Sequence, residues 1–238
     1  RVQSIDIETE VIDKFPDANI AAEKITCIAI SSEDCKTVVL GWKPLDLESQ
    51  RKIFDQHREY LKNFGEWQFK YVCFADEFKM MEAFIYKMLP KMSMVIGWNF
   101  NNFDWKYIRN RCKRIGIDYK IASPSKKVRG ENELPLHIGM VDYMEYYKKW
   151  DRYIKVKEGH SLDAASNAIL GTTKLKYNGS FQNLYDNDYD KYVLYNAIDS
   201  ALVALIHKRL NTINAAFAVT VFSNVSLYKC DSPVFLTE

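Results

Sequence analysis

Short apolar runs separated by polar turns open the chain: residues 2–7, residues 25–30 (I-T-C-I-A-I) and residues 37–40, with turn-prone stretches such as 31–34 between them. Spacing this close predicts antiparallel hairpins. A mixed-charge segment over 46–63 reads as a helix with a solvated face. It is followed by the alternating K-Y-V-C-F of residues 70–74 as a strand, and by a helix over 76–89 stopped at Pro90. M-V-I-G-W-N, residues 94–99, predicts a strand running into a loop, and residues 103–115 predict a helix closed by Gly116 in a left-handed cap. Residues 120–139 are rich in turn formers and basic side chains and read as an extended hairpin or loop. Residues 141–147 make a short strand or a helix start, and Ser161 caps a short helix to Leu170. The longest helix covers 189–210, with Tyr195, Ile198, Leu202, Leu205 and Arg209 along one stripe. Strands that alternate with helices after an antiparallel start predict an α/β fold with a mixed sheet.

Composition narrows this picture without redirecting it. The 238 residues are 47% hydrophobic and 14% aromatic, enough to pack the core of one large domain or of one and a half ordinary ones. A formal net charge of +2 excludes a polybasic nucleic-acid binder while leaving room for local patches. The five cysteines are widely spaced and contain no C-x-x-C pair, which argues against a disulfide framework or a thiolate zinc site and for a reducing compartment. No apolar run approaches the length of a membrane span and no signal-peptide pattern is present, so the expectation is a soluble protein. The sequence starts at Arg1, without an initiator Met and directly at an apparent strand, so a piece of a longer chain is expected.

Candidate chemistry begins in S-I-D-I-E-T-E, residues 4–10. Strand parity sets Asp6 and Glu8 side by side on one face and Ile5 and Ile7 on the other, while Glu10 falls beyond the useful end of the strand. Paired like charges disfavour each other's ionised form unless a positive group lies between them, although a solvated edge strand would also tolerate them. A third carboxylate, Asp104 in G-W-N-F-N-N-F-D, lies where a strand passes through an Asn-rich loop into a helix. Its local alternative is helix capping, with Asn101 as the N-cap and Asp104 three residues on. The fourth, Asp199, sits mid-helix beside a nearly unbroken apolar run, where an unpaired charge costs several kcal/mol, so a compensating partner is expected. Tyr195 lies four residues earlier on the same helix face, so its hydroxyl and the Asp199 carboxylate can address one site. Oxygen ligands without clustered His or Cys suit Mg²⁺ or Mn²⁺, and four carboxylates would neutralise two such ions, the recurring device for displacement at phosphorus.

S-I-D-I-E-T-E, G-W-N-F-N-N-F-D-W-K-Y-I-R-N-R and Y-N-A-I-D resemble, in order and separation, the three exonuclease motifs of family B DNA polymerases. T-K-L-K-Y-N-G, residues 173–179, brings the resemblance closest to the proofreading domains of T-even phage replicative polymerases, and the similarity covers nearly the whole chain. It implies an RNase H-like mixed sheet flanked by helices, in which Asp6, Glu8, Asp104 and Asp199 bind two Mg²⁺ or Mn²⁺ ions. Tyr195 then orients the attacking water; the position that carries histidine in other branches of the superfamily is Leu194 here, making this the tyrosine type. Lys174 matches a family lysine beside the scissile phosphate, an ordinary surface lysine being the alternative. For the nucleic acid, the resemblance points to Asn99, Phe100, Asn101 and Phe103 in the loop, with Phe103 favoured as core and Phe100 and Asn101 as strand contacts. The basic residues Lys126, Lys127 and Arg129 fall where relatives carry a strand-parting hairpin, a solvated loop being equally compatible.

The implied activity is 3′-5′ exonucleolytic hydrolysis of single-stranded DNA by residues 1–211, with residues 212–238 leading toward a polymerase palm. Apolar side chains between 217 and 238 would pack on that missing body. Implied partners are a single-stranded DNA 3′ end, the rest of the polymerase chain (palm, fingers and thumb) and a sliding clamp reached through the full-length protein. The implied setting is the cytoplasm of a bacterium or phage-infected host, with no membrane. Two alternatives stay open: a stand-alone DNA or RNA exonuclease of the same superfamily, and a catalytically silent scaffold that only binds single strands.

Overall fold

Residues 1–12, 15–154 and 159–224 are described by the computed structural model. The C-D-S-P-V-F segment of residues 230–235 lies outside them. Six strands form one sheet: β1 (Val2–Thr9), β2 (Ile25–Ser32), β3 (Lys36–Gly41), β4 (Gln68–Cys73), β5 (Met94–Gly97) and β8 (Gly139–Asp142), in the order β4-β3-β2-β1-β5-β8. The pairs β1–β2 and β2–β3 are antiparallel, and β3–β4, β1–β5 and β5–β8 are parallel. This is the mixed α/β, RNase H-like arrangement expected from the sequence, with β1 in the interior of the sheet. Two-residue strands β6 (Val128–Arg129) and β7 (Leu134–Pro135) make a small separate hairpin inside the 120–139 segment.

Period-two alternation sorts the sheet into two cores. Ile5, Ile7, Ile28, Ile30, Leu40 and Val95 face α2 (Glu77–Ala83) and α3 (Asp104–Ile115), whose Met80, Met81, Tyr107 and Ile108 are buried against them. Cys27, Ala29, Val39 and Ile96 face the other way, toward α1 (Leu47–Leu61), α5 (Leu162–Leu170) and the 22-residue α7 (Tyr189–Leu210). Asp6 pairs with Ala29 and Glu8 with Cys27, so both acids point to the α7 side. At its first residue β2 is tied to the α2–α3 layer by a buried two-pronged ion pair. Arg111 donates to both oxygens of Glu77 at 2.8 and 2.7 Å, and Glu77 accepts the Ile25 amide at 2.7 Å.

The packing of α7 on β1 positions everything that follows. Tyr192, Asn196 and Ser200, four residues apart along one helix face, donate to the β1 carbonyls of Thr9 (3.3 Å), Asp6 (3.3 Å) and Ser4 (3.0 Å). The carbonyls they reach lie three and then two residues apart along β1, the longer step falling at the register shift between Glu8 and Thr9, and helix and strand run in opposite directions. Small side chains make the approach possible: Ala197, Ser200 and Ala201 on the helix and Ala29 on the sheet are all fully buried. The stripe predicted for this helix is therefore too narrow, because α7 is buried on nearly every face from Tyr192 to His207.

Other boundaries shift for local reasons. The helix predicted over 76–89 is regular only to Ala83; residues 84–88 widen into a π turn, and Pro90 sits in the 3-10 turn that follows. Residues 141–147 are both of the things proposed, the end of β8 and the start of α4 (Tyr143–Ile154). A short helix without a sequence prediction, α6 (Phe181–Asn187), is capped by Ser180. The last described helix, α8 (Thr212–Ser223), leaves Phe217, Val221 and Phe222 exposed. Among the described residues no helix is long and apolar enough to cross a membrane.

Two measurements test this account of the packing. Ser200→Leu overfills the α7–β1 seam and should cost roughly 1–3 kcal/mol in urea unfolding; an unchanged midpoint would mean the seam is loose. His57 on α1 is fully buried against Trp67 and Phe69, its ring nitrogens have no hydrogen-bond partner, and burial pulls its pKa down to about 4. The unfolded chain therefore takes up a proton near pH 6.5 that the fold refuses, and stability falls as pH drops from there to about 4, by roughly 3 kcal/mol in all. His57→Phe should lose markedly less stability than the parent over that window, and equal losses would refute the assignment.

Candidate acidic cleft

The carboxyl ends of the parallel strands β1, β5 and β8 lie at one edge of the sheet, and the cleft opens there. β5 pairs with β1 only from Val2 to Ser4, so past that point the two strands part. The Ile7 amide, left on the open side, donates to Asp104 Oδ1 at 3.0 Å. This contact replaces the capping role considered for Asp104. The helix begins at Asp104 itself, its N-cap is Phe103 with no side-chain hydrogen bond, and the carboxylate reaches across to the strand. Asn101 is not the N-cap; its amide donates to Asp142 Oδ2 at 3.1 Å.

The cleft, about 500 Å³, is lined by Asp6, Glu8, Asp104 and Asp199 together with Lys174 and Tyr195. Carboxylate oxygens of Asp6, Glu8 and Asp199 all lie within 4.8 Å of one another. Asp104 stands at the margin of this trio, close enough to act on the charge of Asp6. Each acid is pushed above the usual carboxylate range, first by burial. For Asp6 the charges of Asp104 and Asp199 add to it, and for Glu8 those of Asp6 and Asp199. Asp104 is raised to about 7, burial outweighing the Ile7 hydrogen bond, and Asp199 is raised by burial against the pull of Lys174.

Four contacts hold the group in place. Asn196 donates to Asp6 Oδ2 at 2.7 Å. The Lys174 ammonium pairs with Asp199 Oδ2 and lies 4.8 Å over the Tyr195 ring, and the Tyr195 hydroxyl is near enough to ease the charge of Asp199. Asp199 Oδ1 is buried with no partner. An oxygen-only donor set, crowded, partly unsatisfied and short of positive charge, fits a hard divalent cation.

Aromatic rings form two rims. On one side Phe103 packs against the exposed Phe15, ring centroids 5.4 Å apart, and Trp98 also lines the cleft. On the other, Tyr177, Phe181 and Tyr195 pack mutually at 5.4 to 5.5 Å. The expectation for the loop is reversed here. Phe100, proposed as a strand contact, is fully buried in the space that Gly97 leaves open, since a Cβ at Gly97 would lie 2.6 Å from the Phe100 ring. Phe103, favoured as core, lines the cleft. Asn99 is also at the cleft, in a left-handed conformation (φ 59°), with its carbonyl closing the turn by accepting from the amides of Asn102 and Phe103.

The basic segment does not join the cleft lining. Lys126 and Lys127 are exposed, whereas Arg129 donates to the carbonyls of Leu136 and Ile138 and so braces its own hairpin. Its guanidinium is thus engaged within the hairpin. Two polar residues of the site were not anticipated. Asp142, buried at the end of β8, holds the Asn101 amide and with it the loop leading to Asp104. Asn196, inside Y-N-A-I-D, fixes Asp6; its signal was a buried-helix amide at i+4 from Tyr192 and i−4 from Ser200.

The family model for the exonuclease domain of DNA polymerase family B matches residues 1–148. The DNA-directed DNA polymerase of Escherichia phage RB69 is 26% identical over 256 residues, covering 98% of this chain and 28% of the phage protein. The corresponding protein of Enterobacteria phage T4 is 25% identical over 177 residues, 69% of this chain and 20% of its own length. DNA polymerase 1 of Sulfolobus acidocaldarius is 27% identical over 205 residues, 84% of this chain and 21% of that protein. The chain thus spans well under a third of the length of the curated relatives it matches.

Because the folded cluster holds protons that the unfolded chain releases, the metal-free protein should lose stability as pH rises out of the carboxylate range. At pH 7, Glu8→Gln should therefore melt higher than the parent without metal. Millimolar Mn²⁺ should raise the melting temperature of the parent and raise that of Glu8→Gln less. Identical metal responses in the two proteins would remove Glu8 from the site.

Proposed function

Since the chain belongs to the exonuclease domain of DNA polymerase family B, we propose that it removes nucleotides from the 3′ end of single-stranded DNA, in the 3′ to 5′ direction, as the proofreading part of a longer polymerase. The observation that carries this reading is the meeting of Asp6, Glu8 and Asp199 at the floor of a cleft with aromatic rims. Asp6, Glu8, Asp104 and Asp199 are the residues that would hold two Mg²⁺ or Mn²⁺ ions. When bound, the pair supplies a water acidic enough to attack at neutral pH and stabilises charge on the phosphoryl and leaving 3′ oxygens.

The chain's own groups do the rest. Tyr195 and Glu8 orient the attacking water, with Tyr195 fixed by its contacts to Asp199 and Lys174. Burial and the Asp199 charge raise the Tyr195 hydroxyl above its usual range, so it stays protonated and donates rather than accepts a proton. Lys174 steadies the negative charge that grows on the phosphate. Phe103 and Tyr177, on opposite rims, receive the unpaired terminal bases by stacking, which tolerates any sequence. Asn99 offers a polar contact beside them, and the exposed Lys126 and Lys127 meet the phosphate backbone.

In the longer protein, residues 1–211 form the exonuclease unit and 212–238 lead to the palm. The exposed Phe217, Val221 and Phe222 would cover themselves against that body, which also supplies fingers, thumb and the route to a sliding clamp. The setting is the cytoplasm of a bacterium or of a phage-infected host. A labelled single-stranded oligonucleotide with Mg²⁺ tests the reading. The parent should shorten the DNA from its 3′ end and trim RNA far less, and Asp104→Ala or Asp199→Ala should abolish the cleavage. Tyr195→Phe should slow it about 10- to 100-fold, the range for groups that support a metal site without ligating it. Equal trimming of RNA would favour the stand-alone nuclease, and full activity in Asp199→Ala would end the assignment.

A further inference from the structure

We propose that the Lys174 ammonium is the resident counter-ion of the cleft, occupying on Asp199 the position a divalent cation requires, so that cation binding and the Lys174–Asp199 ion pair exclude one another. The proposal rests on the reading of the cleft as a divalent-cation site and adds how that site is kept in its absence.

Among the described residues that line the cleft, Lys174 is the one cation set against four carboxylates. Its ammonium touches Asp199, one of the three acids whose oxygens crowd within 4.8 Å. Removing it without replacement would leave buried acids facing each other, the costly state of an unpaired charge in a poorly solvated place. Adding a divalent ion while it stays would press like charges together on one carboxylate.

The two partners differ in their freedom to move. The Lys174 side chain is 28% exposed and that of Asp199 only 4%, so the lysine is the one with a path out. Its backbone is fixed on both sides: the Lys174 amide donates to Asp163 Oδ1 at 2.6 Å, and the Thr173 carbonyl accepts from the Tyr60 hydroxyl. Only the flexible four-carbon stem has to swing. The Tyr195 ring, 4.8 Å from the ammonium in the pair, offers a released ammonium a cation–π contact beside Asp199, within the cleft that would receive an anionic phosphate. Cation loading thereby hands one positive charge from an internal carboxylate to the substrate.

Calorimetric titration with Mn²⁺ alone, without DNA, tests the exchange in the parent, Lys174→Met and Lys174→Arg. Lys174→Met should bind Mn²⁺ at least about fivefold more tightly than the parent, the lower range of typical coupling between two sites, and should melt lower without metal. Lys174→Arg, which keeps the charge, should bind close to the parent. Acylation of amines read by mass spectrometry provides a second measurement on the unaltered chain, with Lys174 labelled slowly without metal and faster at saturating Mn²⁺. If the parent binds Mn²⁺ and Lys174→Met binds equally or more weakly, the exchange is refuted and the cation site stands. If Lys174→Met does not fold, the labelling decides: faster labelling supports the exchange, and unchanged labelling overturns it. A parent chain that binds no Mn²⁺ overturns both the exchange and the site on which it rests.

Discussion

The close seating of α7 on β1 is the constraint on which the cleft depends. A helix set against a sheet through large side chains would hold its carboxylates too far from those of the strand to share a site. Here Ala29, Ala197, Ser200 and Ala201 remove that bulk, and Tyr192, Asn196 and Ser200 fasten the helix to the β1 carbonyls of Thr9, Asp6 and Ser4. Asn196 belongs both to the seam and to the site, since its amide donates to the carbonyl and to the carboxylate of Asp6. Asp199 is one helical step from Ser200, so the seam that sets the depth of the helix also sets the distance from Asp199 to Asp6 and Glu8.

Electrostatics then works against the packing that creates the site. Apolar burial drives α7 onto the sheet, and the same burial raises every acid in the cleft above its usual range. Lys174 relieves part of that opposition, and the unpartnered Asp199 Oδ1 marks what it leaves unrelieved. The Asp104 side has a different support. The separation of β5 from β1 frees the Ile7 amide, and Asp142 holds the intervening loop, so Asp104 arrives from the second core without entering the α7 seam. Two layers of the fold thus contribute acids to one opening, and aromatic side chains from loops and from α6 and α7 rim it.

Much of this was legible in the sequence because it follows from local periodicity. Strand parity put Asp6 and Glu8 on one face and Ile5 and Ile7 on the other, and a mid-helix carboxylate in an apolar run marked Asp199 as needing a partner. That partner, Lys174, was not identified as such: the resemblance placed it only beside the scissile phosphate, and it lies in an extended segment whose path is set by distant contacts at Asp163 and Tyr60. Phe100 and Phe103 were exchanged because the turn between them depends on a left-handed Asn99 and on space above Gly97, neither of which has a periodic signature. The bonds of Arg129 to the carbonyls of its own hairpin had no signature either, since a basic side chain in a polar loop reads as free. The polar ladder on α7 was visible as Tyr192, Asn196 and Ser200 at intervals of four, but only a helix known to be buried all round gives that spacing its meaning.

The central claim is that these acids form a cation cage built by the α7–β1 seam. Anomalous diffraction from a crystal of this chain soaked in Mn²⁺ tests it most directly. The account predicts a peak bonded to oxygens of Asp6, Glu8 and Asp199, with the Asn196 amide still on Asp6. A peak elsewhere on the molecule, with those three carboxylates unligated, would contradict it.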